Sequence, residues 1–151
     1  MQDDRRQLAG WWLNGARQDL AIAEDGVARW SNASCFHAQQ SAEKALKAAL
    51  VLASGDSART HALVVLAAEL VSAGTALDEP VLEACKVLDK FYAPTRYPDA
   101  LGGVDPTEIF TEREAREAVS LARHVLTFAE ALLKPDDALE PTQSPVVDTG
   151  I

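Results

Sequence analysis

His37, Gln40, Glu43, Lys44 and Lys47 recur at three- and four-residue intervals within the run Cys35 to Lys47. On a helix that spacing places side chains on adjacent turns of one face, where they can converge on one ligand or one partner. Ammonium and imidazole groups so arranged suit the gripping of a phosphate or a carboxylate better than the moving of protons. A second run, Arg96-Tyr97-Pro98-Asp99, adds a guanidinium fork suited to the same anions on a segment stiffened by proline. The ligand-binding candidates are therefore His37, Lys44, Lys47, Arg96, Tyr97 and Asp99.

Each candidate has a structural alternative. His37 can hydrogen-bond a neighbouring carboxylate or backbone group, and Lys44 and Lys47 can form a solvated face with minor helix pairs to Glu43 and Gln40. Arg96 and Asp99 can hold each other across a loop while Tyr97 packs on the domain. His61, which follows Thr60 at a helix start, reads as a capping or surface residue.

The elements that must position these groups follow from composition and period. The chain has 151 residues, 48% of them hydrophobic, rich in alanine and leucine and poor in strand-forming runs, which predicts a single all-α domain. Leu8, Trp12, Ala16, Leu20, Ala23 and Val27 mark a first long amphipathic helix from about Arg5 to Trp30. Cys35, Phe36, Gln39, Ala42, Leu46, Ala49, Leu50 and Ala53 mark a second, stopped at Gly55. A shorter helix runs from the Thr60 cap to Gly74, and a fourth from Asp78-Glu79-Pro80 to Tyr92, broken by Pro94.

Residues 94–110 carry three prolines and two adjacent glycines and read as a long loop. Thr111-Glu112-Arg113-Glu114 is a capping box that launches the last helix, whose buried stripe is Ala115, Ala118, Val119, Ala122, Val125, Leu126, Ala129, Leu132 and Leu133. The reading is a five-helix up-and-down bundle with two long spine helices over residues 1–134, followed by an acidic, proline-containing, disordered tail over 135–151.

Other classes are disfavoured. The longest apolar run, Ala62 to Ala68, is far below the roughly 18 to 20 residues that span a bilayer, and no signal-type stretch follows Met1, so the expected location is the cytoplasm with no membrane partner. Cys35 and Cys85 lack Cys-x-x-Cys spacing and read as buried free thiols. His37, His61 and His124 are too far apart to suggest a metal site, and no cofactor is expected. A formal net charge of -9 opposes free-standing nucleic-acid binding. Trp11, Trp12 and Trp30 crowd the first helix, and an exposed one among them would suit a dimer interface.

Several of these runs, in order, resemble the HEPN (higher eukaryote and prokaryote nucleotide-binding) domain family. They are Cys35-Phe36-His37-Ala38-Gln39-Gln40 through Lys47, Thr60-His61-Ala62-Leu63, Arg96-Tyr97-Pro98-Asp99, and Phe110-Thr111, over roughly residues 8–133. The resemblance implies a small helical bundle that dimerises and works beside a minimal nucleotidyltransferase, in some pairs as toxin and antitoxin. Many branches of the family are metal-independent ribonucleases marked by arginine followed four to six residues later by histidine. Here Arg96 is followed by Tyr97 to Gly103 with no histidine in range, and Arg29, Arg59 and Arg123 stand at other spacings from His37, His61 and His124. The favoured function is thus a non-catalytic binding module for a nucleotide or phosphate. Its alternative is a toxin-type ribonuclease with a divergent site, in which His37 or His61 approaches Arg96 in space and RNA is the partner.

Overall fold

The computed structural model describes residues 2–134, and the tail expected over 135–151 lies outside them. Six α-helices and one 3-10 turn follow in order: α1 (Gln2–Gly26), α2 (Ser31–Ser54), α3 (Leu63–Ser72), α4 (Glu79–Asp89), the 3-10 turn Pro98–Leu101, α5 (Pro106–Ile109) and α6 (Glu112–Leu133). No strand occurs among the described residues.

The two long helices predicted as the spine are α1 and α2, and side-chain links fix their direction. Ser34 pairs with Ala23, His37 with Asp19, Ser41 with Ala16, and Arg5 with Leu52, so the helices run antiparallel. Contacts of Arg6 with Leu133, Arg17 with Glu130 and Arg123 with Glu24 set α6 antiparallel to α1, and α6 packs against α2 as well. The seam between α1 and α2 is built largely of alanine. Ala9, Ala16 and Ala23 alternate with Leu13 and Leu20 against Ala38, Ala42, Ala45 and Ala49, and small side chains let the backbones close in. Ser34 and Ser41 then donate hydroxyls to α1 carbonyls at 2.6 and 2.7 Å, which satisfies them without water.

Period predicted the buried face of α6 as far as Ala129, beyond which Leu132 is 39% exposed as the helix runs past the core, but shifted that of α1. Leu8 is 40% exposed and Trp12 only half-buried, while Ala9 and Leu13 carry the core, because α1 has a second apolar stripe that points away from it. The helix also ends at Gly26, and a turn closed by the Trp30 amide on the Gly26 carbonyl leads to Trp30 as the residue before α2. Gly55 stops α2 as predicted, at φ +89°, a backbone conformation that favours glycine; a Cβ there would sit 2.8 Å from Arg5 Nη2, at the movable end of that side chain.

The cap of α3 differs from expectation. Thr60 Oγ1 accepts only the Ala62 amide, and the Leu63 and Val64 amides that open α3 donate to the carboxylate of Asp89, at 2.7 and 3.0 Å. Asp89 is the last residue of α4, so one side chain caps α3 and ties the two helices together. Asp78 caps α4, and the Thr111–Glu114 capping box on α6 is present in both directions.

The long loop is more ordered than proline and glycine content implies, and the five expected helices become six because α5 forms within it. Its first part is anchored by Thr95, which is buried, donates to the Phe91 carbonyl and lends its own carbonyl to Asn32 of α2. Phe91 meets Phe110 edge-on at the far end. Cys35 and Cys85 are buried free thiols; burial first, then the charges of Glu114 and Asp89 respectively, pushes each up to about 12.

Candidate functional site

His37, Gln40, Glu43, Lys44 and Lys47 lie on adjacent turns of α2 as their spacing predicts, yet its lysines are not a solvated face. Asp19 of α1, only 6% exposed, receives Lys44 Nζ at 2.6 Å and His37 Nδ1 at 2.8 Å. Glu43, only 4% exposed, receives Lys47 Nζ and His61 Nδ1, each at 3.0 Å, and Gln40 Nε2 at 3.2 Å. Two buried carboxylates are thus each shared by one lysine and one histidine. A carboxylate only accepts, so each imidazole donates through Nδ1 and its Nε2 is left for another partner.

The first carboxylate was absent from the sequence candidates, since nothing in the sequence of α1 distinguishes Asp19 from its surface acids. Lys47 is itself buried and lies 5.4 Å from the centre of the Trp12 ring, held between an anion and an aromatic face. Leaving one partner of such a pair alone in the interior costs several kcal/mol, so these lysines are committed to the fold.

Arg96 sits elsewhere and in a different state. Its guanidinium lies 4.3 Å from the ring centre of Phe36 and 4.7 Å from those of Tyr92 and Tyr97, and its Nε donates to the Tyr92 carbonyl at 3.3 Å. The pairing with Asp99 considered from sequence does not form: among the described residues no ion pair joins them, and Asp99 is exposed on the 3-10 turn. Stacking on three rings is available to a planar cation, and apart from Nε its in-plane donors make no hydrogen bond among the described residues. Tyr97 is 51% exposed, and it meets Arg96 in place of packing into the bundle.

The six candidates therefore separate into three places. His37 and Lys44 meet at Asp19, Lys47 joins Glu43, and Arg96 with Tyr97 forms an aromatic group beside Phe36 and Tyr92, with Asp99 following. His61 connects the second and third places. Its ring stacks on Tyr92, with centres 5.2 Å apart and planes 15° from parallel, while Nδ1 holds Glu43. A cavity of about 370 Å³ opens there between His61, Ala62, Asp89 and Tyr92. From sequence His61 reads as a capping or surface residue, and as a candidate only on the ribonuclease alternative, because its partner Glu43 is eighteen residues away on α2. Among the described residues no group of three or more histidine, cysteine or acidic side chains could hold a metal ion, and no helix is long and apolar enough to cross a membrane.

An antiparallel helical pair flanked by α6, with a polar stripe closed by buried carboxylates and a loop arginine stacked on aromatic rings, defines a small helical-bundle domain. The sequence pattern of the HEPN domain matches residues 9–132, and the chain belongs to that family. It is similar to the crystal structure of TT1696 from Thermus thermophilus, with 42% identity over 82% of this chain and 97% of that one and a TM-score of 0.75. It is also similar to ST0689, an archaeal HEPN homologue, with 31% identity over 83% and 98% of the two chains and a TM-score of 0.68. No match was found among the curated proteins.

Proposed function

We propose that this HEPN domain is a cytoplasmic binding module that holds an anionic group, the phosphate of a nucleotide in the first instance, at Arg96, and that it acts as a homodimer paired with a minimal nucleotidyltransferase. The observation that carries the ligand reading is the state of Arg96. Its charge is held in place by Phe36, Tyr92 and Tyr97 and is not paired with a carboxylate among the described residues, which is the preorganisation that a bidentate anion contact needs. Tyr97 and Asp99 flank that contact. His37, Lys44 and Lys47 act through Asp19 and Glu43 by fixing the helix beneath it. The partner reading is supported by family membership.

Isothermal calorimetry with ATP, GTP and inorganic phosphate, on the wild type and on Arg96→Ala, tests the ligand reading. Binding by the wild type and its loss in the variant are expected; silence in both sinks it. Co-purification with a nucleotidyltransferase encoded beside the gene tests the pairing.

A ribonuclease reading is favoured by one observation. Glu43 orients His61 so that Nε2 is free, and the same Tyr92 ring touches both His61 and Arg96. An oriented imidazole can take the proton of a 2'-hydroxyl while a guanidinium stabilises the phosphorane. On that reading His61→Ala lowers cleavage of transfer RNA by roughly 10²- to 10⁴-fold. Intact RNA after incubation with the wild type removes it.

A further inference from the structure

Beside Arg96 lie two polar groups that accept and do not donate. His61 donates Nδ1–H to Glu43 at 3.0 Å, and Lys47, at the same distance, already balances that carboxylate. The imidazole is not needed as a second cation, so its Nε2 presents a lone pair, and the Glu43 bond and the stack on Tyr92 fix its direction. His61 lines the cavity of about 370 Å³ together with Ala62, Asp89 and Tyr92, and its side chain is 57% exposed. Asp89 takes the Leu63 and Val64 amides, yet each carboxylate oxygen keeps a further lone pair. No cation pairs with Asp89 among the described residues, so its charge stands on the cavity wall.

We infer that the ligand held at Arg96 is a phosphate monoester whose alcohol part carries free hydroxyls, and that His61 and Asp89 receive those hydroxyls; this rests on the anion reading of Arg96 proposed above. The Tyr92 ring joins the two places. The Arg96 guanidinium lies 4.7 Å from its centre and the His61 ring 5.2 Å from it, so an anion gripped by Arg96 carries its ester group onto the same ring. A lone pair and a carboxylate there draw hydroxyl donors and repel a second phosphate, so a polyphosphate gains nothing from this cavity. An ammonium arm would meet the Arg96 charge on the same ring. The cavity is at the small end of those that hold ligands, which suits a sugar or a shorter polyol. His61 thereby selects among phosphate esters, and Glu43, buried behind it, positions it.

Isothermal calorimetry with ribose 5-phosphate, methyl phosphate and pyrophosphate tests this, on the full chain and on His61→Phe, which keeps a ring on Tyr92 and removes the acceptor. Glu43 retains Lys47 and Gln40 in that variant, and an unchanged urea midpoint confirms that binding and not folding is read. The wild type is expected to bind ribose 5-phosphate at least roughly 10-fold more tightly than methyl phosphate, and pyrophosphate no more tightly than methyl phosphate. His61→Phe is expected to weaken ribose 5-phosphate by roughly 3- to 10-fold and to leave methyl phosphate unchanged. Equal affinity of the wild type for the two esters, or a preference for pyrophosphate, overturns the inference and leaves the Arg96 reading standing; that comparison needs no variant. A preference for ribose 5-phosphate that survives intact in His61→Phe overturns the role of His61. Silence toward all three ligands overturns the Arg96 reading as well.

Discussion

Lys47 Nζ lies 3.0 Å from Glu43 Oε2, one turn back on the same helix, and both side chains are more than nine-tenths buried. On a helix surface such a pair adds a few tenths of a kcal/mol; here it is roofed by Trp12 on one side and His61 on the other. Removing one partner strands the other charge. Glu43→Ala is expected to lower unfolding free energy by about 3 to 5 kcal/mol, read as a fall in urea midpoint. A loss below about 1 kcal/mol would mean that Lys47 reaches water.

Arg96 makes the opposite prediction. Its guanidinium supports no carboxylate among the described residues, so Arg96→Ala should change stability little while weakening an anion by about 1.5 to 3 kcal/mol, roughly 10- to 100-fold in affinity by calorimetry. Arg96→Lys keeps the charge but loses the fork and the stack, and should recover only part of that binding.

Asp89 stabilises α3 from outside that helix, accepting two of its opening amides. Asp89→Ala is expected to cost about 1 to 2 kcal/mol in unfolding free energy and to raise amide exchange at Leu63 and Val64 first. Asp89→Asn, which keeps one accepting oxygen, should cost less.

The thiols give a dependence on alkali. Cys35 and Cys85 ionise near 9.0 in an unfolded chain and near 12 when buried, so between those values the unfolded chain has released protons that the folded one keeps. Stability is full below pH 9 and declines toward pH 12, by at most about 1.4 kcal/mol per pH unit per thiol. Replacing both cysteines by alanine should flatten the decline. At pH 8 a thiol reagent is expected to label neither residue until denaturant is added.

Much of the helical arrangement is visible in the sequence because it depends on local signals. Gly55, Asp78 and the Thr111–Glu114 box act within a turn of themselves, and the α6 stripe needs only its own period. What escapes is decided by a second helix. Leu8 and Leu13 are the same residue type in the same helix, and only the position of α2 makes one exposed and the other core. Asp19 is one acid among several until His37 and Lys44 reach it, and Asp89 becomes a cap only when α3 arrives at the end of α4. Arg96 stands out in the sequence as a candidate ligand residue from its type and motif, but its three aromatic neighbours come from α2, from the residues after α4 and from the loop itself.

The two shared carboxylates also set where the chain can change length. Each joins α2 to another element, Asp19 to α1 and Glu43 to the segment before α3. Adding or deleting one residue between His37 and Glu43 turns everything beyond it by about 100° about the helix axis, parting His37 from Lys44 and Glu43 from His61. Both clusters would lose a member at once, with no local repair. The stretch from Gly102 to Asp105 bears no such double attachment and can vary in length, so α2 is held to a fixed residue count while the approach to α5 is not.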